Sequence, residues 1–167
     1  MSTQRPKIIG LAYMAFQASD VEQTLAWYRN LHGYEEQLRL PAPDGRVSQT
    51  FVMINEAQWI EICPEHAPKT DRLLRFGLRV EDAEAMQAYL AARGVLAAGP
   101  VERSATGNLG FSVKDPDGHT VEFVQIMTDG WPARAAGWGP GPRALSRCMM
   151  HAGFDVSSLA RAQAFYG

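Results

Sequence analysis

At 167 residues the chain is long enough for one sizeable core, or for one domain and part of another, and its 46% hydrophobic and 20% charged residues are those of an ordinary soluble globular protein. A net charge of −2 gives no electrostatic case for nucleic acid or for an anionic membrane surface, and no apolar run approaches the roughly 20 residues of a bilayer span. Two cysteines, Cys63 and Cys148, are too few for a disulfide framework, so a reducing compartment is expected and with it a cytoplasmic protein.

In chain order, residues 8–18 read as a strand. Ser19-Asp20-Val21-Glu22 then has the Ser-x-x-Glu form of a capping box, which satisfies the first free N–H groups of a helix. That helix carries Leu25, Tyr28 and Leu31 near 3.6 spacing and stops at Gly33. Strands are predicted at 36–40, 47–54 and 59–63, separated by the turn-rich Pro41-Ala42-Pro43-Asp44-Gly45 and by Asn55-Glu56.

The order then begins again. Residues 74–80 form a strand, and Asp82 caps a helix carrying Met86, Tyr89 and Leu90 that ends at Gly94. Strands follow at 101–104, 110–114 and 120–126, the last two joined across Asp115-Pro116-Asp117-Gly118. Two βαβββ modules, about 8–66 and 72–128, thus make one domain over 1–128. Residues 129–145, rich in Gly and Pro, read as a linker, with Trp131 and Trp138 placing it against a surface. A third start appears at 146–167. There Met149 to Ser158 aligns with the first strand and Ala164-Phe165-Tyr166 with Ala26-Trp27-Tyr28, as if a second domain began and the chain were truncated.

The helix over 19–35 followed by GFSVKDPDGHTVEFVQ at 110–125 resembles the vicinal-oxygen-chelate superfamily, which includes glyoxalases, bleomycin resistance proteins and extradiol dioxygenases. The resemblance implies an α+β fold in which paired modules form a curved, eight-stranded mixed sheet around a divalent metal. It also implies His ligands on the opening strands, Glu on a closing strand, and pairing of modules either within a chain or across a homodimer axis.

Strand alternation predicts which side chains face that cup. Tyr13, Ala15 and Gln17 on the first opening strand point inward, and Arg75, Gly77 and Arg79 do so on the second. Trp59, Glu61 and Cys63 come from one closing strand and Glu122 from the other, with Phe111 a further wall. The family's opening-strand His lies seven positions before the helix cap. In this sequence Tyr13 and Arg75 stand there, and only the third start supplies a histidine, His151. A guanidinium does not ligate metal. No metal is therefore expected in the first domain, and an internal salt bridge of Arg75 with Glu122 is expected to replace it.

The remaining histidines, His32, His66 and His119, are expected at the surface, and Cys63 is not expected to be a nucleophile. Three functions remain open. One is extradiol-type ring cleavage by a second domain that binds Fe, Mn, Zn or Ni through His151, with its partner ligands expected beyond Gly167; in the first cup Glu122 is a weak ligand candidate. Another is a lyase or isomerase of glyoxalase type. The last is non-catalytic binding of a small molecule.

Overall fold

The structure, a computed structural model, describes residues 4–67, 72–135, 137 and 139–167. Each half of the domain lays down a long opening strand, a helix and three more strands. In the first half these are β1 (Ile8–Ala18), α1 (Val21–Trp27), β2 (Glu36–Pro41), β3 (Val47–Asn55) and β4 (Gln58–Pro64). In the second they are β5 (Leu73–Val80), α2 (Ala83–Ala91), β6 (Glu102–Arg103), β7 (Leu109–Lys114) and β8 (Thr120–Gln125).

Both helices begin at an aspartate. Asp82 accepts from the N–H of Ala85, as expected, and α1 is capped by Asp20 through the N–H of Gln23 rather than by Ser19. A carboxylate is the stronger acceptor and also favours the positive end of the helix dipole. The first helix does not keep its period. It widens into a π-turn over Tyr28–His32 before Gly33 at φ 72°, and Leu31 is left 63% exposed while Leu25 is buried.

All eight strands join one curled sheet in the order β2-β3-β4-β1-β5-β8-β7-β6, so the fold is α+β. The two opening strands run antiparallel at its centre, each flanked in parallel by the closing strand of its own half. Met14, Phe76, Val80, Val121 and Phe123 pack with Ala83 and Met86 beneath α2. Leu25, Val52, Ile54 and Ile62 form the matching layer in the first half. The opposite, concave face carries its own cluster, which includes Tyr13, Ala15, Phe51, Met53, Trp59 and Val124.

Residues 129–135 turn back over this concave face. Trp131 is 6% exposed there, against Phe51 and Trp59, while Trp138 lies outside the described residues. Residues 149–156, read as the opening strand of a third module, form no strand. From His151 on, exposure still alternates, with His151, Gly153 and Asp155 outward. A strand needs a neighbour to complete its ladder, and here a side chain stands in for one. The amide of Gln58 donates to the carbonyl of Met149 at 2.9 Å and accepts from its N–H at 2.8 Å. Then α3 (Leu159–Tyr166), capped by Ser158, packs Phe165 and Tyr166, together with Phe154, onto the second module's core.

Candidate functional site

Two rows of residues cross the central strands on the concave face. Trp59, Tyr13, Gly77 and Glu122 are successive partners from β4 through β1 and β5 to β8; Glu61, Ala15 and Arg75 form the adjoining row. Each row has a small residue where a long one must pass. Across Ala15, Arg75 reaches Glu61 and donates from Nη2 to Oε1. Across Gly77, Tyr13 reaches Glu122 and donates its hydroxyl to Oε2. Arg75 Nε ties the rows together, donating to the Tyr13 hydroxyl at 3.1 Å and lying 3.3 Å from Glu122 Oε2. The Tyr13 ring stacks on Trp59 with centroids 5.0 Å apart and planes 11° from parallel.

Burial sets the charges. Glu61 is 3% exposed, which raises its pKa, although Arg75 pulls it back. Tyr13 is raised well above its ordinary value by burial and by Glu122, so its hydroxyl stays a donor at neutral pH. Burial alone would lower the pKa of Arg75, but Tyr13, Glu61 and Glu122 outweigh it and make the guanidinium a fixed charge. Cys63 lies 3.5 Å from Glu61, and burial together with that carboxylate pushes its thiol up to about 12. A thiol so seldom ionised is a poor nucleophile.

Tyr13, Trp59, Glu61, Arg75 and Glu122 all line one cavity of about 260 Å³. Three other residues singled out in the sequence do not. Gln17 accepts the N–H of His66 at 3.3 Å, and Arg79, although paired with the cavity-lining Val124, does not itself line the cavity. Phe111 pairs with Phe123 and stacks on it at 5.2 Å on the helix side of the sheet. It could not be a cup wall, because directly opposed residues of paired strands share a face. His151 is exposed on the extended segment after the domain.

His119, expected at the surface, is partly buried. Its Nδ1 lies 2.9 Å from buried Asp115, and Phe154 covers the ring at 5.0 Å. Contributors to the cup that were not foreseen include Phe51, Asn108 and the placement of Trp131. Phe51, Val52, Met53 and Ile54 are all buried, so β3 has no alternation to assign a face. Asn108 follows Gly107 and reads as a turn residue.

The donor set of this cup does not fit a divalent metal. An ion between Glu61 and Glu122 would lie against the guanidinium that both carboxylates already engage. Unit charges about 4 Å apart near a protein surface interact by about 4 kcal/mol, and a divalent ion doubles that repulsion. Among the described residues, no three His, Cys, Asp or Glu side chains are grouped to hold a metal.

Solved structures share the architecture. The chain superposes on methylmalonyl-CoA epimerase from Mycobacterium tuberculosis with a TM-score of 0.62 and 17% identity, over 77% of this chain and 93% of that one. For a Streptomyces coelicolor methylmalonyl-CoA epimerase in complex with 2-nitronate-propionyl-CoA the values are 0.61 and 15%, over 71% and 98%. For the 2,3-dioxygenase LapB from Pseudomonas sp. KL28 they are 0.63 and 15%, over 75% of this chain but 45% of that one. Curated protein sequences give no match. The family model of the glyoxalase, bleomycin resistance protein and dioxygenase group matches residues 10–123, which span the whole paired sheet up to Phe123. The solved structures share the fold, and by its match to the family model the chain belongs to the Glyoxalase/Bleomycin resistance protein/Dioxygenase superfamily.

Proposed function

We propose that residues 8–128 bind a small planar organic molecule in a cup that works without a metal. The observation that carries this reading is the engagement of Arg75 with both Glu61 and Glu122, which puts a protein cation between the two carboxylates. Stacking faces come from Tyr13, Trp59 and Phe51. Arg75 and Glu122, with side chains 26% and 24% exposed, supply the polar groups that orient a ligand. A structural neighbour in complex with 2-nitronate-propionyl-CoA is in keeping with an organic ligand. The test is a calorimetric titration of phenols, catechols and aryl carboxylates, run with excess EDTA and again with Fe(II), Mn(II), Zn(II) or Ni(II). Equal affinity in both is expected; binding that disappears in EDTA would sink the proposal.

A second reading gives residues 146–167 to the start of another such domain, with His151 as a metal ligand and ring cleavage or a lyase step as the chemistry. It is favoured by the outward placement of His151 in an alternating segment. The partial cover of LapB, 45% of its length, also favours it. Oxygen uptake with catechol and Fe(II) that His151→Ala abolishes would support it; uptake unchanged by that substitution would remove it.

A further inference from the structure

We infer that Trp131, which lies after the last strand of the sheet, is the residue that sets the size of ligand the cup admits. The inference rests on the cup being a ligand site. Trp131 does not line the cavity; it fills the space next to it. Its ring lies 5.2 Å from Phe51 and 5.4 Å from Trp59, both of which do line it. The cavity left is about 260 Å³. An apolar cavity of about 150 Å³ holds one benzene, so the remaining room suits a one- or two-ring molecule.

The rim of the cup itself holds Trp131 in place. Its N–H donates to the carbonyl of Thr106 at 2.8 Å, and its carbonyl accepts from Asn108 Nδ2. Asn108, 1% exposed, also accepts the N–H of Met127 at 3.0 Å, fixing both ends of the turn that delivers the ring. A Cβ at Gly130 would overlap the Asn108 side chain, so the chain passes there only as glycine. The indole N–H of Trp131 is buried with no hydrogen-bond partner among the described residues. No polar contact of the ring therefore accounts for a tryptophan here. What the ring supplies is volume, and enlarging the cup requires removing only this side chain, with the sheet unchanged.

The test uses the whole 167-residue chain and its Trp131→Ala and Trp131→Leu variants, with folding checked by near-ultraviolet circular dichroism. The probes are phenol, 2-naphthol and 9-phenanthrol. Wild type is expected to prefer 2-naphthol over 9-phenanthrol by about tenfold. Trp131→Ala is expected to bind 9-phenanthrol about tenfold tighter than wild type, with phenol changed by less than about threefold. Trp131→Leu, which retains apolar packing if the alanine variant fails to fold, should shift in the same direction. The same order of affinities in wild type and a folded variant overturns the inference, while binding of phenol by wild type leaves the cup's function intact. If wild type binds none of the probes but the variants take up 9-phenanthrol, the size limit stands and the proposed function falls.

Discussion

Tyr13 reaches Glu122 only by lying flat over Gly77, where any Cβ would overlap the edge of the tyrosine ring. The glycine is needed for this close approach, not for an unusual backbone angle. Gly77→Ala forces the ring or the strand to move, and overpacking of this kind destabilises by about 1–3 kcal/mol. Tyr13→Phe keeps the ring and removes two hydrogen bonds, the one given to Glu122 and the one received from Arg75, at about 0.5–1.5 kcal/mol each. Urea denaturation compares them. A Gly77→Ala protein as stable as wild type would refute the close approach.

Arg75→Met leaves Glu61 and Glu122 facing each other with no cation. Removing one partner of a buried pair destabilises by about 3–5 kcal/mol; Arg75 is one-quarter exposed, so the lower end is expected here. The loss depends on pH in a definite direction. Glu61 already has a folded pKa above its ordinary value, because of burial. The stability linked to such a group is present below the unfolded pKa and is lost as pH rises through the folded one. Without Arg75 that folded pKa moves further up. The gap between variant and wild type should therefore be small in the acidic carboxylate range and widen toward neutral pH, as read by thermal melts across pH.

The two cysteines should react very differently. Cys63 is buried, with its thiol pushed up to about 12, whereas Cys148 is exposed. A disulfide reagent such as DTNB at pH 8 should modify one thiol rapidly in the folded protein and two in guanidinium chloride. Rapid labelling of Cys63 in the native state would contradict its placement beside Glu61.

Asp115 fastens the turn before β8 to the end of the chain. It accepts from the N–H groups of Asp117 and His119 at 2.9 and 2.8 Å, and from His119 Nδ1 and the Tyr166 hydroxyl at 2.9 Å each. Burial pushes its pKa up, but the hydrogen bonds from His119 and Tyr166 prevail and hold it below the usual carboxylate value. Its contribution is thus present at neutral pH and is lost as pH falls through that lowered value. Asp115→Ala should destabilise by at least about 2 kcal/mol at pH 7 through orphaned donors, and Tyr166→Phe by less. Amide exchange of α3 should accelerate in both; an unchanged rate would show that the turn does not hold the helix.

Much of the cup could be read from the sequence because a strand has a period of two. Once β1, β4, β5 and β8 were placed, alternation put Tyr13, Trp59, Glu61, Arg75 and Glu122 on one face, and all five line the cavity. Phe111 was expected as a wall without any such reading, and its face follows from its partner Phe123 on β8, a relation across strands. Alternation gave no face to Phe51, where five consecutive buried residues, Thr50 to Ile54, leave no pattern to follow. The period of α1 was lost at the π-turn, which exposes Leu31.

What the sequence determined by itself was the order of elements and the missing histidines, since caps, turns and alternation are local and Tyr13 and Arg75 occupy their positions whatever the packing. Tertiary structure alone decided the rest. It lined up Glu61, Ala15 and Arg75 in one row and Tyr13, Gly77 and Glu122 in the next, so that small residues let long ones cross. It brought Trp131 back over the sheet and turned the expected third strand into a segment held by Gln58. The physical reason is that these contacts join positions far apart in the chain, and only the register of paired strands and the filling of the cup specify them.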